Sequence, residues 1–276
     1  MSRMTTGIRP MTWSPEFRLE ADRPVRQLAR MLGAIAGDII GSVHEFSRNE
    51  DQGFPLFAER SCPTDDSLLT WAVAETILKG ERDYKPRLVG MLGYYEKHGH
   101  NAPLSAAFGG GFSAWVYDGA PGERDSYGNG SAMRVSPVAW AFDDLESVLE
   151  HATLSARPSH KTRNPAAVRA VAENFYGSLP DLAEIRKSHS YNETCQGCVP
   201  ECLAIAIGTL DFENAVRFAA SVRGDADTLA AITGSVSQAL WGVPRAIREQ
   251  SLAIAARCYP GMERTVAEFE AKFGGY

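Results

Sequence analysis

Apolar side chains recur along most of the chain at intervals of three and four residues, the spacing that lines one face of an α-helix. In DDSLLTWAVAETILKG, Leu69, Val73, Thr76 and Ile77 share a face, and Gly80 supplies a stop signal. Comparable spacing marks KPRLVGMLGYYEKHG, SAMRVSPVAWAF, DLESVLEHATLSA, PAAVRAVAENFYG, LPDLAEIRKS, VPECLAIAIGTL, FENAVRFAASV and the stretch from Pro244 to Phe273. In DTLAAITGSVSQALWG the residues Leu229, Ile232, Val236 and Leu240 fall on one side. RQLARMLGAIAGDIIGSVHEF is apolar and rich in small residues, and reads as the helix that begins the folded core. No period-2 run of β-branched residues is present, and no fixed-length repeat. The pattern predicts a single all-α domain over residues 26–276, preceded by an arm at 1–25 that has no clear period.

Residues 99–131 break the pattern. They are rich in glycine and turn formers, with a short helix expected around Phe112–Tyr117. An irregular stretch of this length inside a compact domain is usually functional.

Composition narrows the class. The 276 residues are 44% hydrophobic and 22% charged, enough apolar side chain to bury a core. The 28 Lys+Arg and 34 Asp+Glu give a net charge of −6, without the basic excess of a sequence-independent nucleic-acid binder. No apolar run approaches the roughly 20 residues that cross a bilayer, and the first residues lack a secretory apolar core. A soluble, cytoplasmic protein is expected. Five cysteines argue against a secreted disulfide framework. Three of them, Cys195, Cys198 and Cys202, crowd into CQGCVPEC. No second half of a zinc site follows, and a loop entering a helix is the plainer reading.

Two short motifs concentrate oxygen ligands. Thr64-Asp65-Asp66 and Asp225-Ala226-Asp227-Thr228 each open a predicted helix and offer two carboxylates and a hydroxyl. Thr and Asp commonly cap helices, so either motif alone reads first as a cap. One cap needs one oxygen, however, and each motif supplies three. Were they to converge, four negative charges would meet, and divalent cations of the Mg²⁺ or Mn²⁺ kind would balance them. Spacing alone leaves the convergence open. Asp38 and Glu45, seven residues apart, would lie near one helical face. Glu45 reads as a solvated helix-end carboxylate, and Asp38 as a buried hydrogen-bonding organiser.

Taken in order, GAIAGDIIGSVHEF, PTDDS, SYGNGSAMRVSP, LSARPSH and GDADTLAAITGSVSQALWG resemble the ADP-ribosylglycohydrolase family from about Met31 to Val243. The resemblance implies a compact domain of orthogonally packed helices around two Mg²⁺ (or Mn²⁺) ions. It implies Thr64, Asp65, Asp66, Asp225, Asp227 and Thr228 as ligands, and Glu45, Asp65 and Asp66 as catalytic groups. Ser126, Tyr127, Gly128, Asn129, Gly130 and His160 would face ADP-ribose, with Tyr127 stacking on adenine and the glycines admitting backbone N–H groups to phosphate. The chain departs from the family at Ser67, where Thr is frequent, after His160, where SHKTRNP replaces a second histidine, and at Arg223.

The activity implied is hydrolysis of the bond between the distal-ribose C1″ of ADP-ribose and an acceptor, a modified protein linked through arginine or serine. O-acetyl-ADP-ribose, a nucleic-acid conjugate, and a non-catalytic relative are the alternatives. The arm at 1–25 is a candidate contact for a protein partner.

Overall fold

The computed structural model describes residues 30–45, 51–103, 108–160 and 179–274. The arm at 1–25 and the helix expected in PAAVRAVAENFYG lie outside the described residues. Every named element among the described residues is helical; the two antiparallel contacts, Asp125 with His160 and Gly128 with Thr194, are single-residue bridges.

At the centre is α1 (Leu32–Gly41), with all ten residues buried. A helix without a polar face can exist only where other elements surround it on every side. Its partner is α11 (Ala226–Trp241), and the sequence explains how closely the two approach. Gly33, Gly37 and Gly41 form a stripe at four-residue spacing. A Cβ at Gly41 would fall 2.6 Å from the Ala226 carbonyl oxygen, and Cβ atoms at Gly33 and Gly37 would overlap the Gly234 and Ala230 carbonyls. Backbone packs on backbone along three turns. The Gly33 N–H, an orphan donor at the start of α1, donates to Gln238 Oε1 of α11 at 2.5 Å.

This contact revises one expectation. Leu229 and Ile232 are buried, but Val236 and Leu240 are only half-buried. The side of α11 that meets the glycines of α1 instead carries Ala226, Ala230, Gly234 and Gln238.

Helix α2 (Asp65–Leu78) buries Leu69, Val73, Thr76 and Ile77 together, and Gly80 at φ 67° follows its end as anticipated. It packs against α1 and α3 (Lys85–His98). The irregular region holds α4 (Gly110–Tyr117), and a bent loop then leads into α5 (Gly130–Met133) and α6 (Ser136–Ala141). Next come α7 (Leu145–Ala156) and α8 (Leu182–Ser188). Both α9 (Cys195–Gly208) and α10 (Phe212–Ala220) pack on α11. Helices α12 (Arg245–Cys258) and α13 (Met262–Phe273) finish the fold, with Trp71 Nε1 of α2 donating to Thr265 Oγ1 of α13 at 2.8 Å.

Two local readings change. Helix α1 stops at Gly41, so Glu45 lies in the turn beyond it and not on a helical face with Asp38. The three clustered cysteines lie within α9 rather than in a loop before it: Thr194 is the N-cap, and its hydroxyl accepts from Gly197 N–H at 3.2 Å.

Candidate active site

Helices α2 and α11 both begin at one end of α1, and that brings the two carboxylate motifs together. Thr228 Oγ1 donates to Asp66 Oδ2 at 3.2 Å across 162 residues of sequence. Asp38, Asp66 and Asp227 present oxygens that all lie within 4.8 Å of one another, and so do Glu45, Asp225 and Asp227. Asp227 belongs to both groups.

Asp38 organises the floor. It is wholly buried on α1 and accepts from Thr64 N–H at 2.9 Å, Thr64 Oγ1 at 2.7 Å, Ser67 N–H at 3.1 Å and the Ser67 hydroxyl. The first turn of α2 is thereby tied to the central helix. The Ser67 hydroxyl is one of the donors this contact uses. Burial raises Asp38 to about 6 in spite of those four donors.

The other carboxylates are raised too. Burial pushes Asp65, Asp66 and Asp227 well above the carboxylate range, and repulsion from neighbouring acids adds to it. Asp225 moves up through burial, against a 2.6 Å hydrogen bond from Asn129 Nδ2. Glu45 is raised to about 7, first by burial and then by the charge of Asp225. Such a set stays ionised only beside a compensating charge. Asp66 Oδ1 is buried and has no hydrogen-bond partner. An all-oxygen set with an orphaned acceptor fits hard divalent cations, and the two overlapping groups fit a pair of them. Thr64 contributes indirectly: its hydroxyl is engaged with Asp38 and lies 3.3 Å from Asp66 Oδ2.

Above this floor is a cleft of about 360 Å³. Glu45, Asp65, Asp66, Asp225, Asp227 and Thr228 line its base. Ser126, Gly128, Asn129, Gly130 and His160 line a wall. The expected site residues converge here with two exceptions: Thr64 is buried and does not line the cleft, and Tyr127 does not line it and is 68% exposed.

The wall loop is pinned on both sides. Ser126 N–H donates to the Ser159 carbonyl at 3.1 Å, and Asn129 N–H to the Glu193 carbonyl at 2.7 Å. Gly128 N–H donates to Ser126 Oγ at 3.1 Å. These three N–H groups hold the loop's own shape and are committed before any ligand arrives.

His160 Nε2 lies 2.9 Å from the Gly128 carbonyl, and Nδ1 lies 2.8 Å from Ser159 Oγ. A carbonyl only accepts, so Nε2 carries the proton. Ser159 Oγ accepts from Arg134 Nη2 at 2.8 Å and so turns its own proton toward Nδ1. The imidazole is neutral, its pKa lowered to about 4 by burial and by Arg134.

Sequence reasoning missed Arg134. It is 1% exposed, yet its guanidinium binds the Gly130 carbonyl at 2.8 Å and the Ser155 carbonyl at 2.9 Å, bracing the wall from behind. Its place in SAMRVSP, directly after Met133, was the available signal. Arg124, Glu193 and the glycines at 109–111 also line the cleft. The cysteines join neither acidic group.

A helical domain with a carboxylate-lined cleft at the junction of three helices defines a hydrolase class, and comparison with known proteins says which. The family model for ADP-ribosylglycohydrolase matches residues 20–175 and 164–270. The chain belongs to that family and is an enzyme of the glycosyl-hydrolase kind. It is similar to the ADP-ribosylarginine hydrolase Tri1 of Pseudomonas putida (strain GB-1), 25% identical over 85% of this chain and 74% of Tri1. It is 28% identical to the ADP-ribosylhydrolase ARH3 of Mus musculus, over 66% of this chain and 55% of ARH3. ARH3 of Bos taurus matches at 28% over 51% and 47%. The chain spans about half the length of these ARH3 relatives. A solved ADP-ribosylglycohydrolase-related protein complex shares the fold, with TM-score 0.60 at 20% identity over 90% of this chain and 97% of that one.

Proposed function

We propose that this chain is a divalent-cation-dependent ADP-ribosylhydrolase that breaks the bond from the distal-ribose C1″ to an amino-acid side chain and so reverses mono-ADP-ribosylation of protein. The observation that carries the reading is the pair of three-carboxylate groups sharing Asp227 at the base of the cleft. Arginine is the linkage put first, ahead of serine. Tri1 is named for that linkage and matches most of the chain. Glu193, exposed at the rim, and Glu45 below it also offer carboxylates to a guanidinium acceptor.

Asp38, Asp66 and Asp227 would hold one ion, of the Mg²⁺ or Mn²⁺ kind, and Glu45, Asp225 and Asp227 a second. Asp65 and Thr228 stand beside them, and Thr64 stands behind. When bound, such ions supply Lewis acidity to a water and to neighbouring hydroxyl oxygens. Glu45, at the edge of the acidic cluster, would accept a proton from the attacking water and return it to the leaving group. The remaining carboxylates stabilise the positive charge that develops on the ribose as the bond stretches. Asn129 fixes Asp225, and the loop from Ser126 to Gly130 forms the wall against which ADP-ribose rests. Arg124, also on that wall, supplies positive charge for the pyrophosphate.

The test is release of free ADP-ribose from Arg-linked and Ser-linked peptides, with O-acetyl-ADP-ribose and nucleic-acid-linked ADP-ribose alongside. Release from the arginine conjugate with Mg²⁺ or Mn²⁺, abolished by excess chelator, is expected. Full turnover in chelator would overturn the cation requirement. Turnover of only the acetyl or nucleic-acid conjugate would reassign the acceptor, and turnover of none would overturn the hydrolase reading.

A further inference from the structure

The hydrolase reading leaves the CQGC motif unused, and its placement is unusual. Cys195 is the first residue of α9 and Cys198 the fourth. The first turn is tight: the Thr194 carbonyl accepts from both Gly197 N–H at 3.2 Å and Cys198 N–H at 3.0 Å. Residues three apart on a helix have Cβ atoms about 5–6 Å apart, and a disulfide needs roughly 3.5–4.5 Å, so a small further winding of this end turn joins them.

Both sulfurs meet the same corner of the cleft wall. Cys195 Sγ donates to the Gly128 carbonyl at 3.3 Å and lies 3.5 Å from Ser131 Oγ. Cys198 Sγ donates to the Asn192 carbonyl at 2.8 Å and accepts from Asn129 Nδ2 at 3.6 Å. That Asn129 amide also holds Asp225.

The pair is asymmetric. Cys195 is half-buried, at the first position of its helix. Cys198 is buried, and burial pushes its thiol up to about 12. One cysteine can meet a reagent and the other waits behind it. The remaining member of the cluster, Cys202, is buried against the Leu229 carbonyl.

We propose that Cys195 and Cys198 form a reversible disulfide, a redox modification site beneath the cleft wall that loosens the Asn129–Asp225 contact and weakens cation binding. The oxidant is a small-molecule disulfide. Cys195 attacks one of its sulfurs, forming a mixed disulfide and expelling one thiolate. Cys198 then attacks the Cys195 sulfur, forming the protein disulfide and expelling the second thiolate. The two protons lost by the cysteines end on the two released thiols. Gly128 and Asn192 each lose an S–H donor, and the sulfur that faces Asn129 turns away.

The experiment incubates the full chain with oxidised glutathione and maps its thiols by alkylation and mass spectrometry. Mn²⁺ affinity is then measured by calorimetry before oxidation, after it, and after dithiothreitol. A Cys195–Cys198 crosslink, a five- to tenfold weaker Mn²⁺ affinity and full recovery on reduction are expected. Cys195→Ser keeps a donor for the Gly128 carbonyl and should lose the response. Free thiols after oxidation, a stable glutathione adduct on Cys195 alone, a Cys198–Cys202 crosslink, or a crosslink that leaves Mn²⁺ affinity unchanged would each overturn the proposal. Thiol mapping on the unmodified chain decides the first three of these even if the variant folds poorly. The affinity arm rests on the cation site proposed above, whereas the crosslink is read whether or not the chain binds Mn²⁺ or cleaves any ADP-ribose conjugate, so failure of the one is distinguishable from failure of the other.

Discussion

The two acidic helix starts look interchangeable in sequence, and the fold treats them differently. Thr64-Asp65-Asp66 is fastened to the core. Its N-cap hydroxyl and three backbone N–H groups, those of Thr64, Asp66 and Ser67, terminate on Asp38 or within the turn, and Asp38 itself sits on a helix packed backbone to backbone. Asp225-Ala226-Asp227-Thr228 has no side-chain cap on its helix. Asp225 is positioned from outside, by Asn129 on the wall loop. Both helix starts are thus held by the scaffold, since Ala226 and Asp227 pack their backbone against Gly41 of α1, but the Asp225 side chain is held by a loop. Two motifs of like composition can have separate mechanical roles when different elements supply their hydrogen bonds.

Substitutions can break this asymmetry or sharpen it. The largest effect is expected at the shared residue. Asp227→Asn removes a charge from both carboxylate groups and should lower turnover by roughly 10³-fold. The cation-free protein should melt at a higher temperature than the parent, because one repulsive buried charge is gone. If Asp227→Asn costs no more turnover than a change in one group alone, Asp66→Asn, the shared role is wrong.

Next comes the paired comparison of the two fastenings. Thr64→Val keeps the shape but removes the hydroxyl that serves Asp38 and Asp66, and should cost about 1–2 kcal/mol of stability in chemical denaturation. Asn129→Ala should cost little stability, yet weaken Mn²⁺ binding roughly 10–100-fold by calorimetry. Equal stability losses from both would erase the distinction between core and loop.

The wall is tested through pH. His160 has its folded pKa at about 4, below the ordinary value of 6.5. Its contribution to stability is therefore complete above pH 6.5 and is lost as pH falls toward 4, since the unfolded chain binds the proton first. Over that window the loss should be on the order of 2–3 kcal/mol. His160→Gln retains an N–H for the Gly128 carbonyl and should flatten this part of the stability profile. An unchanged slope would remove His160 as its source.

Much of the architecture was legible because helix formation is written locally. The spacing of Leu69, Val73, Thr76 and Ile77, the stop at Gly80 and the short helix near Phe112–Tyr117 all rest on neighbours a few residues apart. The less accurate expectations concerned helix ends and surroundings. Glu45 was placed on a helix that in fact ends four residues earlier, and the face shared by Leu229, Ile232, Val236 and Leu240 is not the one that meets the glycine stripe of α1, so Val236 and Leu240 are only half-buried. The cysteines were placed before a helix that they begin.

The sequence by itself determined that the chain is helical, that two helices begin with carboxylates and hydroxyls, and that its motifs follow the order of one hydrolase family. Tertiary structure alone decided that those starts meet, that Asp227 serves both carboxylate groups, that Asp38 anchors only one of the two motifs, and that a buried Arg134 braces the wall while Tyr127 faces solvent. The reason is range. A helix is specified by interactions within one or two turns, whereas the meeting of Asp66 and Thr228 depends on how tightly α1 and α11 can approach, and that is set by residues lacking side chains on both.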